Sequence, residues 1–425
     1  MPRKVWTNND GFDISPAVRR RVLTALRDAC QWCANNQVRH TWPNWENNYG
    51  RLPGAMSSTS GKIGWSISWN VARAAQGLLA AARVLGKDVA SFEETAEIGL
   101  YHDTRLQIYD PEYPQLRGAI REETVNSFHI NPRDGMECSQ GWIAKTLYDG
   151  RQADPMWLRR AGDHLNWTVN FLMRQPEWPM EYVFFGRDYA KDMPLVPRPY
   201  SRRDLRMRNP GHPVSFCFTA LPIPVCQYAA MTGERKLVRK GAVPMAEWLL
   251  DTFFDAGTGT LRLPAGSVGH HSRPIGGLDR VIGNDDGAMI AVLCLHRLDP
   301  KAKWLDPVVA NADWWAKVNE KIHLFSAVPA AMLLMLDAAR LTGKREYLDW
   351  VLGRLPEVLA LQCNKADPRF HGGFMGEDIE RMTTWLGCRP DKTISLRMVS
   401  YLLIGLSKLV ANDRTWSPAY SAFGW

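Results

Sequence analysis

The sequence predicts an all-α fold, an (α/α)6 toroid of about twelve helices with long loops on one face. Two observations predict it: a short turn recurs between two helical patterns, and most connections between the resulting hairpins are long. Each turn has an apolar helix end, then a Gly or Pro stop, then polar residues that open a new helix. The five turns span residues 85–88, 148–151, 231–234, 298–301 and 341–344.

The helix before each turn is apolar on nearly all sides, and the helix after it is amphipathic. This alternation predicts a layer of buried inner helices and a layer of outer helices. Two further helices, at 17–36 and 392–411, would pair across the chain ends, close the ring and make 1–425 a single catalytic domain. The unequal spacing of the turns argues against the alternative, a regular solenoid. The inner helices are predicted at 67–85, 135–149, 214–232, 285–298 and 323–342, and the outer ones at 89–108, 154–173, 235–253, 303–317 and 345–361.

The connections from outer to inner helices are long enough to indicate function, since long loops in compact domains are usually functional. We expect them on one face of the ring, with some short strands, for example at 258–263. The long connections are 38–66, 109–134, 174–213, 254–284 and 362–391.

The composition is that of a folded globular protein, with 425 residues, 45% hydrophobic and 23% charged. The net charge of +8 favours an anionic partner. Because the chain has no long Lys/Arg tract and no nucleic-acid-binding motif, we expect an acidic oligosaccharide and no nucleic acid. No apolar run is long enough to span a membrane, and no signal-like apolar segment opens the chain. The expectation is a cytoplasmic protein, or a secreted one if the sequence was trimmed.

Candidate catalytic residues lie where the long loops approach the inner helices. Carboxyl and imidazole groups supply general acids and bases. The consecutive Asp285 and Asp286 would raise each other's pKa, which suits an acid catalyst. For Asp134 and Asp285 the alternative is a capping role at the helix that follows. The candidates are Glu122, Glu123, His129, Asp134, Asp285 and Asp286.

Candidate substrate-binding residues combine aromatic rings, which stack on sugar rings, with Arg forks, which bind carboxylates bidentately. Segment 187–208 carries seven Lys and Arg against three Asp, and is either a lid that clamps an anion or a solvated basic loop. The glycines of 371–378 are expected to let the backbone approach a ligand. No metal and no cofactor are predicted. The candidates are Trp45, Trp65, Tyr101, His102, Asn126, Arg133, Arg202, Arg203, His270, His271, Arg280, His371, Glu377 and Asp378.

The loop sequences GAIREET, GNDDG and HGGFMGED, on a frame of twelve helices, resemble the (α/α)-barrel carbohydrate-active enzymes that act on uronic acids. These are glucuronidases, unsaturated glucuronyl hydrolases and toroidal uronate lyases. In the unsaturated glucuronyl hydrolases two Asp residues act on the sugar, and Asp134 with Asp285 or Asp286 are the positions that could match.

The predicted reaction is hydrolysis of a glycosidic bond to a uronic acid. One carboxylic acid would protonate the leaving oxygen while a carboxylate activates water or attacks the sugar. A lyase is the alternative, in which a base abstracts the proton at C5 of a uronate and the glycosidic bond is eliminated. An epimerase or a sugar-binding protein on the same toroid also remains open.

Overall fold

The computed structural model is dominated by helices whose bounds fall close to the predicted ones. In the part of the chain that it describes we number twelve helices. Helix α7 (Arg235–Phe253) consists of Arg235–Leu237, a π-helical segment Val238–Ala242, and Val243–Phe253. The other helices are α1 (Pro16–Asn36), α2 (Ser68–Leu85), α3 (Ala90–Leu106), α4 (Pro132–Asp149), α5 (Pro155–Asn170), α6 (Pro222–Thr232), α8 (Ala288–Leu298), α9 (Ala302–Trp315), α10 (Ala327–Thr342), α11 (Arg345–Ala360) and α12 (Leu396–Val410). The structure describes residues 4–40, 48–65, 68–111, 114–122, 129–130, 132–174, 182–184, 196–198, 220–264, 272–282, 287–319, 327–376 and 386–416.

The chain separates into two compact units, one made of residues 1–102 with 321–425 and the other of 103–320. The first unit holds α1, α2, most of α3, and α10 to α12. The second holds α4 to α9. The single catalytic domain over 1–425 stays a prediction.

In the first unit, α2, α10 and α12 are buried along nearly their whole length, as predicted for inner helices. Helix α12 packs against α2 and α10, α1 packs on α12 and α2, and α11 packs on α10. Small residues allow the closest of these contacts. A Cβ on Gly77 of α2 would lie 2.6 Å from the Cβ of Leu403 in α12, so only Gly fits.

In the second unit, α4 packs on α5 and α6, and α8 packs on α6 and α9. Helix α7 is interrupted by the π-helical segment just before Pro244. Proline has no N–H to donate, so the normal hydrogen-bond ladder cannot run through it, and a π turn is one way to absorb the break.

The predicted short turns are confirmed. The four glycines at the predicted stops, Gly86, Gly150, Gly233 and Gly343, all have positive φ, which suits a residue without a Cβ. The N–H groups of Gly86, Gly233 and Gly343 donate to the carbonyl four residues earlier and so end their helices.

The long connections contain more strand than predicted. In the first unit, β1 (Trp6–Thr7) pairs with β2 (Gly11–Phe12), and β3 (Pro53–Ser57) lies between β4 (Ile63–Trp65) and the last strand, β12 (Thr393–Ser395), all antiparallel. In the second unit the antiparallel sheets are β5 (His129–Ile130) with β6 (Tyr182–Phe184) and β7 (Val196–Arg198), β8 (Phe254–Asp255) with β9 (Thr260–Leu261), and β10 (Ser272–Ile275) with β11 (Leu278–Ile282).

The strand expected at 258–263 is therefore real but shorter, as β9. Strands β4, β5 and β12 lead almost directly into α2, α4 and α12 and fix where these helices begin. Among the described residues, no helix combines the length and the apolar character that crossing a membrane requires.

Candidate functional site

The first unit brings two short strands and two buried helices together. Strand β4 runs into α2 and β12 runs into α12, and both strands pair with β3, at Trp65 with Pro53 and at Ser395 with Ala55. The two helices therefore start side by side. Their first two turns carry Trp69 and Arg73 on α2, and Arg397 and Tyr401 on α12, each pair at the i, i+4 spacing that shares a helix face.

These four residues form what we call the Arg73 cluster. The guanidinium carbon of Arg73 lies 4.7 Å from the ring centroid of Trp69 and 4.2 Å from that of Tyr401. The guanidinium carbon of Arg397 lies 5.9 Å from the Trp69 ring. These distances are in the range of cation–π attraction. Two cations and two rings are thus held on adjacent buried helices.

The Arg73 cluster has the groups that recognise an acidic sugar. A guanidinium binds a carboxylate through two parallel N–H donors, and an aromatic ring covers the apolar face of a pyranose. Arg73 and Tyr401 are fully buried, and Arg397 is 8% exposed. A ligand reaches these groups only if the residues that cover them move.

Of the Arg73 cluster, the sequence interpretation included only Trp69, as an aromatic residue that could stack on a sugar, and it missed the other three residues. Arg73 stands in the Ala-rich segment NVARAAQGLLAA, which we interpreted only as a buried inner helix. A cation inside a helix that is otherwise apolar on all sides is the signal that could have found it, because fully buried charged side chains are rare.

In the second unit, α4 carries a strip of buried polar side chains, which we call the α4 strip. Asp134, Glu137 and Gln140 follow one another at three-residue intervals and are 0%, 1% and 1% exposed. The side-chain amide of Gln140 has no hydrogen-bond partner among the described residues. A buried amide without a partner costs free energy, so Gln140 is a candidate for a hydrogen bond to a bound water or ligand.

Asp134 lies where the sequence predicted, at the start of an inner helix, but it does not cap that helix. Helix α4 begins at Pro132, which makes Asp134 its third residue, in the first turn. The helix dipole favours a carboxylate there. Glu122 is also buried, at 7% exposed. The bridge between Arg121 and Ile130 brings its backbone to strand β5, just before α4.

The side of α4 that faces α5 is occupied by His164, which has a packing role. A Cβ on Gly135 would lie 2.1 Å from the imidazole Cε1, so the two helices need Gly here. The Nδ1 of His164 lies 3.2 Å from the Gly118 carbonyl oxygen, and Nε2 lies 3.2 Å from the Thr168 hydroxyl. Burial lowers the pKa of His164 to about 4, which keeps the ring neutral at pH 7.

Asp103, on α3, has a buried carboxyl group that interacts with Cys138 of α4. Burial raises the pKa of its carboxyl well above the ordinary value, while Arg105 and the Cys138 thiol act in the opposite direction. Desolvation disfavours the charged form, so this carboxyl is held as the neutral acid at higher pH than an exposed Asp.

Two predicted substrate-binding residues, Tyr101 and His102, lie next to each other on α3 but differ in exposure. Tyr101 is 41% exposed and lies on the solvent-facing side of this amphipathic helix. His102 is buried, with Nδ1 3.1 Å from the Tyr49 carbonyl oxygen, and it packs against Gly50. One side chain faces solvent and the other fixes the 49–50 segment to α3, and substrate binding by these two stays a prediction.

Gly372, which follows His371, is needed for helix packing, and the prediction that the glycines of 371–378 let the backbone approach a ligand stays a prediction. A Cβ on Gly372 would lie 2.0 Å from the carbonyl oxygen of Asp28 in α1. His371 itself lies with Nε2 3.8 Å from the Asp28 carboxylate. Arg280, in β11, donates from Nη2 to the Pro264 carbonyl at 2.5 Å and so anchors its own loop.

The remaining predicted residues fall into two groups. For Trp65, His129 and Arg133 the structure describes the backbone, in β4, β5 and α4 respectively. Most of the predicted lid at 187–208 is not described, but its residues 196–198 form β7, in the same sheet as β5. The predicted residues that lie outside the described part are Trp45, Glu123, Asn126, Arg202, Arg203, His270, His271, Asp285, Asp286, Glu377 and Asp378.

Within the described ranges, no group of three or more His, Cys, Asp or Glu side chains is placed to hold a metal ion. The CxxC thiols of Cys30 and Cys33 are buried in α1, and burial raises the pKa of both. They are core thiols.

Comparison with solved structures identifies the architecture. Cellobiose 2-epimerase from Bacillus thermoamylovorans superposes with a TM-score of 0.62 at 12% identity, over 92% of this chain and 98% of that one. A family 76 glycoside hydrolase (mannosidase) from Bacteroides thetaiotaomicron has a TM-score of 0.57 at 10% identity, over 92% and 98%. The fold is an (α/α) toroid.

A third toroid is an α-1,6-mannanase of Salegentibacter, solved with α-1,6-mannotriose as an inactive variant in which two consecutive aspartates are asparagines. It has a TM-score of 0.54 at 11% identity, over 92% of this chain and 100% of that one. No family model matches the chain. No curated protein matches it either. These neighbours are sugar epimerases and mannan-cleaving enzymes, not the uronate enzymes of the predicted resemblance, and at 10–12% identity they establish the toroid alone.

Proposed function

We propose that this protein is a carbohydrate-active enzyme that hydrolyses a glycosidic bond in uronic-acid-containing oligosaccharides. The observation that carries the proposal is the Arg73 cluster, where two guanidinium groups lie against the Trp69 and Tyr401 rings on adjacent buried helices. Structural neighbours named as glycoside hydrolases and sugar epimerases support the coarser part, an enzyme acting on sugars.

The preference for an acidic sugar rests on charge and on the form of the guanidinium group. Arg73 and Arg397 offer planar forks that match a carboxylate, and the net charge of the chain is +8. In this proposal the two residues take the role that was predicted for Arg202 and Arg203. A hydroxyl of a neutral sugar accepts a single N–H donor from the same fork, so neutral substrates should bind more weakly.

The acid and base are proposed among the carboxyl groups next to inner-helix starts. Hydrolysis needs one group to protonate the leaving oxygen and one to activate water or attack the sugar. Asp285 and Asp286 are the first candidates, because the consecutive aspartates of the Salegentibacter mannanase are the positions replaced in its inactive variant. They are the one Asp-Asp pair in this sequence. Asp134 in the first turn of α4 is the next candidate.

The test measures activity on a panel of substrates by three methods. The purified protein is incubated with uronate oligosaccharides, α-1,6-mannan oligosaccharides and cellobiose, and reducing ends, ultraviolet absorbance and proton spectra are followed. New reducing ends without an absorbing product, on uronates above neutral sugars, support the proposal. An absorbing unsaturated product means a lyase, and inversion at C2 without cleavage means an epimerase. Either of these overturns the hydrolysis, and turnover of neutral sugars alone overturns the acidic specificity.

Variants connect the activity to the residues. Asp285→Asn and Asp286→Asn should each abolish cleavage while the far-ultraviolet circular dichroism stays that of the wild type. Arg83→Lys, in the last turn of α2, is the matched control for Arg73→Lys because it makes the same change on the same helix.

A further inference from the structure

The outer surface of the second unit has a cavity of about 420 Å³ between α5 and α7. We call it the α5–α7 pocket. Its floor is apolar, its wall is aromatic and its rim is basic. It is lined by Val169, Met173, Arg174, Lys240, Pro244, Met245 and Trp248.

The local sequence explains how this pocket forms. Gly241 lets α7 approach α5 so closely that a Cβ there would lie 2.5 Å from the Cγ2 of Val169. Val169 and Met245 are buried, and Trp248 is half-buried beside them. Phe253 meets the Trp248 ring edge-on, with centroids 5.2 Å apart and planes at 88°. The indole ring is thus fixed by packing.

The rim continues into a strongly basic surface. Residues 235–240 read RKLVRK, and their four cations are exposed. Arg174, also exposed, lines the pocket together with Lys240. Among the described residues none of these five cations forms an ion pair or a side-chain hydrogen bond. The nearby Glu247 is engaged instead by Lys303, at 3.1 Å. The described surface therefore presents five exposed cations, with Glu234 directly before Arg235, close to one fixed aromatic ring.

We infer that the α5–α7 pocket is a surface binding site for one sugar ring of an acidic polysaccharide chain. Trp248 stacks on the ring, and Arg174 and Lys240 bind its carboxylate and that of a neighbouring unit. The inference rests on the proposed function for the class of ligand. The same positive charge would also attract a single-stranded nucleic acid, but this ligand is less well supported. Proteins bind such nucleic acids with a row of aromatic side chains along a groove. Here one ring lines the pocket.

The experiment measures binding of the full-length protein to polyglucuronate by affinity electrophoresis, with a neutral glucan of similar length as the reference polymer. The charge-reversed double variant Arg174→Glu with Lys240→Glu should bind at least about tenfold more weakly, a change that corresponds to about 1.4 kcal/mol. The matched control is Arg151→Glu with Arg159→Glu, two exposed cations of the same unit that do not line the pocket. It should lose less than about twofold.

Trp248→Leu separates a sugar site from general charge attraction, since it keeps every cation. It should weaken polyglucuronate binding several-fold and leave the binding of single-stranded DNA of similar charge unchanged. The inference is overturned if the double variant binds like the control, if Trp248→Leu binds like the wild type, or if the neutral glucan binds equally well. Tighter binding to DNA than to polyglucuronate also overturns it.

Failure of the two proposals can be told apart. If no uronate is cleaved but polyglucuronate binding depends on Arg174, Lys240 and Trp248, the proposed reaction is wrong and the surface site stands. If short uronates are cleaved while the variants bind polymer like the wild type, the reaction stands and the surface site is wrong.

Discussion

The two ends of the inner helices in the first unit both hold cations next to tryptophan, but the contacts described for these cations are of different kinds. At the carboxyl-terminal end, Lys408 donates to both carboxylate oxygens of Asp337 at 3.0 Å, and both side chains are fully buried. Arg340 donates to Asp413 at 2.5 Å and lies 4.7 Å from the Trp416 ring. At the amino-terminal end, the contacts that define the Arg73 cluster are made with aromatic rings.

The helix dipoles make this difference more informative. Lys408 and Arg340 lie in the last turns of α12 and α10, where a cation is stabilised. Arg397 is the second residue of α12, where the dipole disfavours a cation, and Arg73 lies one turn further along in α2. A group that departs from the rules of stability at a buried position is a candidate for function. We therefore interpret the carboxyl-terminal end as a structural cluster and the amino-terminal end as the candidate binding site.

The largest effect should come from breaking the structural cluster. Asp337→Ala leaves Lys408 buried without its carboxylate, which should lower the free energy of unfolding by about 3–5 kcal/mol. The measurement is urea denaturation followed by circular dichroism. The double variant Asp337→Leu with Lys408→Met removes both charges and should recover most of the loss. If the double variant is as unstable as Asp337→Ala, the loss is not caused by an uncompensated charge.

A smaller effect is expected from separating α2 and α12. Gly77→Ala places a methyl group against Leu403, and this overpacking should cost about 1–3 kcal/mol. Denaturation midpoints test it against Gly353→Ala on α11, where a Cβ meets nothing within 4 Å. That control should be neutral or stabilising by up to about 1 kcal/mol, because Ala favours a helix. Equal stability of the two variants would contradict the close contact.

Arg73→Lys should change stability by no more than about 1 kcal/mol, because the charge and most of the side-chain volume remain next to the rings. It should still weaken uronate binding, since an ammonium group cannot hold a carboxylate with two parallel donors. Isothermal titration with a uronate oligosaccharide checks the second part and thermal unfolding the first. A loss of stability as large as that of Asp337→Ala would make Arg73 a structural residue.

The smallest effect is expected for Arg340→Gln. Its ion pair with Asp413 is partly exposed, with side chains 21% and 36% accessible, so solvent screens most of the attraction. The variant should lower the free energy of unfolding, measured by urea denaturation, by about 1 kcal/mol or less. This difference should become smaller in 1 M salt, and the rate of sugar turnover should not change. Any loss of turnover would show that the two ends of the helices are functionally coupled.

The sequence predicted the parts of this structure that depend on local signals. Helix periodicity and the stops at Gly86, Gly233 and Gly343 are encoded within a few residues, and the helices lie where they were expected. The pairing of β3 with β12 was not predicted, because it joins segments more than 300 residues apart.

The candidate site was predicted less well for the same reason. Asp134 was placed correctly at the start of an inner helix, since a helix start is a local feature. The Arg73 cluster depends on two helices meeting, and a single Arg in an Ala-rich helix looked like part of the core. The Gly-rich segment at His371 resembled a ligand-binding loop, although its glycines are needed to pack against α1.

The most direct test of the account compares the rate of uronate oligosaccharide cleavage by wild type, Arg73→Lys and the double variant Asp337→Leu with Lys408→Met. The account predicts that Arg73→Lys loses about tenfold or more in kcat/KM with unchanged unfolding, whereas the double variant keeps most of its activity. Full activity in Arg73→Lys would contradict the assignment of the amino-terminal end as the sugar-binding site. So would a loss of activity that only follows the loss of stability among the variants.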